Sequence, residues 1–123
     1  MRILGLDYGS KTVGVAMTDA LGMTVQPYKT IQRDRESKLR PTLSEIAEIV
    51  EQYQIEKIVM GLPLNMDDTE GDRAAKTRDF AEKLKLRVEA EAILDQSGIP
   101  RSEQKKVIDQ VAAQLILEQY LRG

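Results

Sequence analysis

The chain has 123 residues, a formal net charge of −2, 41% hydrophobic residues, and neither cysteine nor histidine. That length suits one domain with one core, and the charge balance carries no overall nucleic-acid signature. Without Cys or His there is no disulfide framework, no His- or thiolate-bound zinc and no Ser-His-Asp chemistry. Any catalysis must rest on carboxylates, lysines, hydroxyls and hard cations. No apolar run is long enough to cross a bilayer, and with an apolar strand starting almost at Met1 no leader is expected. A cytoplasmic location is the expectation.

Residues 1–18, M-R-I-L-G-L-D-Y-G-S-K-T-V-G-V-A-M-T, read as a β-hairpin: two apolar runs joined by Tyr8-Gly9-Ser10-Lys11. Asp7 falls where the first run ends, and either caps the turn or does chemistry. A second turn at 19–22 leads to a third strand over 23–31, and Pro27 within it suggests a sheet edge. The charged connector Arg33-Asp34-Arg35-Glu36-Ser37-Lys38 reads as solvated. Leu39, Leu43, Ile46, Val50 and Tyr53 keep helical spacing and predict a helix over 41–53.

The run 55–63 predicts a central parallel strand, opening into the polar loop 65–71, and a helix follows over 72–86. Residues 88–94, V-E-A-E-A-I-L, read as another helix, joined to the previous one with no turn signal and no strand between. The last helix is expected over 102–121, with Ser102 as N-cap. Asp109 lies inside its apolar arc beside Ala112, Ala113 and Ile116. A carboxylate there needs a partner, either a neighbouring lysine such as Lys105 or Lys106, or a metal shared with a second acid. Asp7 is the candidate second acid. Such a pair, joined by divalent cations, would support two-metal cleavage of a phosphodiester.

Three stretches strengthen this reading. The opening I-L-G-L-D-Y-G-S-K-T-V-G-V-A, the central I-V-M-G-L-P-L-N-M with Gly71, and the late K-K-V-I-D-Q-V-A-A resemble, in order, the bacterial pre-16S ribosomal RNA nuclease family. That family is also described as Holliday-junction-resolvase-like. The resemblance implies an α/β fold of the ribonuclease H-like type: one mixed sheet, three antiparallel strands and then parallel ones, flanked by helices in a single domain over 1–123. It implies a nuclease using Mg²⁺ or Mn²⁺ at a two-metal site, with Asp7 and Asp109 as catalytic and metal-binding acids. Lys11, Arg73, Lys105 and Lys106 are the expected nucleic-acid contacts. The substrate would be precursor ribosomal RNA or branched DNA, and the protein a monomer or homodimer away from membranes.

The same family pattern carries a strand with an acidic motif that is missing between Arg87 and Val88, through deletion or because residues there escape observation. The second explanation makes a backbone break at that junction the expectation. Two other readings compete: a catalytically idle nucleic-acid- or ribosome-binding module on the same fold, and an actin- or sugar-kinase-like ATP phosphotransferase built on the Asp7 hairpin.

Overall fold

The structure, a computed structural model, describes residues 1–95 and 108–123. Five strands form one sheet in the order β3-β2-β1-β4-β5. β1 (Arg2–Tyr8) and β2 (Thr12–Thr18) make the antiparallel hairpin expected from the sequence. β3 (Val25–Gln32) pairs antiparallel with β2 at the sheet edge. Pro27 sits beside a register shift there, where a missing N–H costs least. β4 (Ile55–Gly61) lies parallel to β1.

Strict alternation along the strands gives the sheet two different faces. One carries Leu4, Leu6, Tyr8, Val13, Val15, Ile58 and Met60. They form the main core with Leu43, Ile46 and Ile49 of α1 (Arg40–Tyr53) and Phe80, Ala81 and Leu84 of α2 (Asp72–Lys85). The Tyr8 ring stacks on Phe80 at 4.3 Å between centroids.

The other face has small residues where large ones would be expected: Gly5, Gly14, Ala16 and Gly61. Against it lies α3 (Asp109–Arg122), burying Ala112, Ala113, Ile116 and Leu117. A Cβ placed on Gly5 would come 2.9 Å from the Ala113 carbonyl oxygen, and one on Gly61 would come 2.7 Å from Ile116. At Gly14 it would stand 1.9 Å from the carbonyl oxygen of Asp109, an overlap of backbone that no side-chain adjustment relieves. The glycines let the helix approach the strands directly.

Two expectations are corrected. Residues 88–94 are not a helix: Glu91–Asp95 form β5, parallel to β4 along its whole length, from Lys57–Glu91 to Gly61–Asp95. There is also no break at Arg87–Val88, since both amides donate to the Leu84 carbonyl, at 2.9 and 3.1 Å, in one continuous turn ending α2. Glu and Ala favour a helix locally, but β4 presents an open row of backbone donors and acceptors. Pairing satisfies them and outweighs a preference of a few tenths of a kcal/mol per residue. Residues that read as helix thus form the strand that completes the parallel side of the sheet. Of the last predicted helix, 109–121 is observed, and Ser102 lies outside the described residues.

Gly14→Ala should displace the start of α3 and lower stability by about 1–3 kcal/mol, as forced overpacking does. Urea unfolding of the variant beside wild type measures this. An unchanged midpoint would contradict the close packing described.

Candidate active site: an acid pair at the carboxyl ends of the central strands

β1 ends in Ile3-Leu4-Gly5-Leu6-Asp7, and alternation turns Asp7 to the α3 face, like Gly5 two residues earlier. Asp109 is the first residue of α3, following the extended N-cap Ile108. A carboxylate in that first turn lies close to the unsatisfied amides and the positive end of the helix dipole. Gly14 pairs with Asp7 across the hairpin and also receives the backbone of Asp109, so one glycine brings the two acids together.

The electrostatics register their proximity. Burial, then the Asp109 charge, push the Asp7 carboxyl up from 3.8 to about 6, and the Arg73 guanidinium opposes them. Two like charges held in a dry place are unfavourable alone, and a hard divalent cation with oxygen ligands is the group that such a pair accommodates. The donor set therefore fits Mg²⁺ or Mn²⁺. Among the described residues, no three acidic side chains converge closely enough to share one ion.

Arg73 stands in the first turn of α2. Its guanidinium lies 5.4 Å from the Tyr8 ring centroid, reaches the Tyr8 carbonyl at 3.4 Å and pairs with Glu36. Lys11 is exposed at the tip of the hairpin turn, whereas Lys105 and Lys106 lie outside the described residues. Of the six expected site residues, Asp7, Asp109 and Arg73 are thus brought into one neighbourhood.

The sequence reading missed three groups. Arg33 is buried rather than solvated, 9% exposed. It donates to the Gly9 carbonyl at 2.6 Å and lies over the Tyr8 ring at 4.7 Å. Glu36 crosses to α2 to pair with both Arg73 and Lys76. Asp95 ends β5 in register with Gly61, one step beyond the Leu6–Met60 pair, and so shares the level and the sheet face of Asp7 across β4. A signal for Asp95 existed: Ala92-Ile93-Leu94-Asp95 repeats the pattern of an apolar run ending in an acid that marks Asp7.

Comparison with known proteins bears on the family and the fold. The RuvX family model, described as Holliday junction resolvase, matches residues 1–123. A curated relative from Lachnospira eligens, named "Putative pre-16S rRNA nuclease", is 45% identical, with 100% of this chain and 98% of the relative covered. This chain belongs to the RuvX family. The RuvX-family alignment with that relative runs over 137 positions, more than the 123 residues here, so the relative carries residues that this chain lacks. Among solved structures, Thermus thermophilus RuvC in complex with a Holliday junction substrate superposes with a TM-score of 0.64. It is 8% identical, covering 99% of this chain and 95% of that one. The fowlpox virus Holliday junction resolvase gives 0.53 at 13% identity, covering 98% and 97%. At such identities the likeness concerns the fold, which is ribonuclease H-like.

The raised Asp7 carboxyl sets a pH dependence of stability. Between pH 4 and 6 the folded state keeps a proton that the unfolded state has lost, so stability falls as pH rises through that window. The cost, of order 3 kcal/mol from a displacement of about two pH units, is complete above pH 6. Asp7→Asn should therefore be more stable than wild type at pH 7.5 and similar at pH 4. Thermal melts of both proteins at the two values, in EDTA, check this.

Proposed function

We propose that the protein is a metal-dependent nuclease that matures the 5′ end of pre-16S ribosomal RNA. The carrying observation is the Asp7–Asp109 pair, one acid from a strand end and one from a helix start, brought together at Gly14, where burial and then the Asp109 charge push Asp7 to about 6. Membership of a family of named nucleases and resolvases gives that pair its reaction class.

Asp7 and Asp109 would hold the cation, Mg²⁺ or Mn²⁺, through their carboxylate oxygens. A bound divalent cation supplies Lewis-acid polarisation of the phosphodiester and makes hydroxide available near neutral pH. Arg73, beside the Tyr8 carbonyl, would bind a neighbouring phosphate through its planar fork. Lys11, Lys105 and Lys106 would add charge along the nucleic-acid backbone. Asp95, level with Asp7 on the same face, would act from further off, supporting a second ion or the attacking water. Ribosomal RNA is favoured over branched DNA by the relative's name, and a cytoplasmic site of action follows from that substrate. Among the described residues no helix is long and apolar enough to cross a membrane.

The test is cleavage of precursor 16S RNA and of a four-way DNA junction with Mn²⁺, Mg²⁺ or EDTA. RNA should be cut in the presence of metal alone. Asp7→Asn and Asp109→Asn should each lower the rate by more than about 100-fold, beyond the 10–100-fold typical of losing a supporting partner, which is the range expected for Asp95→Asn. Cleavage that persists in EDTA or in Asp7→Asn would overturn the mechanism. Binding without cleavage would mark an idle binding module instead.

A further inference from the structure

The connector between β3 and α1 is fastened at two points. Near its start, the Arg33 amide donates to the Lys11 carbonyl at 2.9 Å and the Arg33 side chain to the Gly9 carbonyl. Three residues later, Glu36 turns inward while Asp34, Arg35, Ser37 and Lys38 are exposed. Its carboxylate takes both oxygens to α2: Oε1 accepts from Arg73 Nη1, and Oε2 from Lys76 Nζ at 3.3 Å. Arg73 and Glu36 are about three-quarters buried.

We propose that Glu36 is an internal competitor for a nucleic-acid phosphate. In the free protein its carboxylate occupies the Arg73–Lys76 seat, and a substrate backbone phosphate displaces it. Several observations converge on this. A guanidinium and an ammonium converging on two oxygens of one anion form a seat that serves a carboxylate or a phosphodiester alike. The seat adjoins the acid pair, because Arg73 also reaches the carbonyl of Tyr8, the residue after Asp7, and its charge is felt at Asp7. Glu36 can leave without unfolding anything, since its neighbours on both sides are exposed and the anchor at Arg33 stays in place. With Glu36 seated the cluster carries one net positive charge, and with it displaced, two. The free site is thereby kept from binding anions indiscriminately, and a ligand must offer enough further contacts to evict the carboxylate. A polyanionic strand does so and a single small anion does not.

The proposal rests on the reading of Arg73 as a phosphate contact, and the experiment separates the two. Fluorescence anisotropy with labelled precursor-rRNA and junction DNA fragments, in EDTA to prevent cleavage, compares wild type with Glu36→Gln and, as a second variant, Glu36→Ala. Both variants should bind about two- to fivefold more tightly at low salt, the equivalent of one partly exposed ion pair. The gain should shrink as salt screens the seat. In a background carrying both Arg73→Gln and Lys76→Gln, Glu36→Gln should bring no gain. Wild-type binding with no tightening in either variant, or with weakening, would make Glu36 a brace for Arg73 and overturn the proposal alone. Absence of nucleic-acid binding by every form would overturn it together with the nuclease reading.

Discussion

The structure depends on how closely α3 can approach the sheet. A helix packed over ordinary strand side chains stands off by the thickness of those side chains. Here Gly5, Gly14 and Gly61 remove that layer beneath Ala113, Asp109 and Ile116. Apolar burial of Ile116 and Leu117 against Ile3 and Val59 holds the helix down, but the glycines decide where it lands. Because Gly14 pairs with Asp7 and touches the start of α3, the landing place is also the site.

That arrangement sets stability against function. Burial and the Asp109 charge both work against ionising Asp7, and only Arg73 opposes them among the causes that move it. Packing thus keeps Asp7 where ionisation is disfavoured, as sites that bind charged ligands commonly do. The surrounding contacts supply the compensation: Tyr8 stacked on Phe80 beneath the strand end, and Arg33 bound to the hairpin turn above it. The positive groups gathered around Tyr8 make this end of the sheet suited to polyanions, although the net charge of the whole chain is negative.

β5 shows how a sheet edge can recruit a sequence that does not advertise itself as a strand. The local pattern of this stretch is helical, yet Glu91–Asp95 pair with β4 in parallel from Lys57–Glu91 to Gly61–Asp95. The strand is short, and its residues are only half-buried apart from the exposed Glu91, which fits a recruited edge better than a central element. It ends in Asp95, level with Asp7 and on the same face of the sheet.

The hairpin, the edge strand with its proline, α1, β4, α2 and most of α3 could be read from the residues alone. Each rests on local periodicity and punctuation, which tertiary contacts had no reason to override. The sequence also singled out Asp7 and Asp109, since an acid at a strand end and an acid on an apolar helix face are both locally anomalous. That the two meet could not be read there, because their meeting depends on backbone approach at Gly14, and a glycine in sequence does not say what lies above it. Tertiary structure likewise turned V-E-A-E-A-I-L from helix into strand, since the open edge of β4 is invisible in the local pattern. Arg33 and Glu36 looked like members of a solvated run for the same reason. Their partners, the Gly9 carbonyl and the Arg73–Lys76 pair, come from elements distant in the chain, and long-range pairing of charges leaves no period to read.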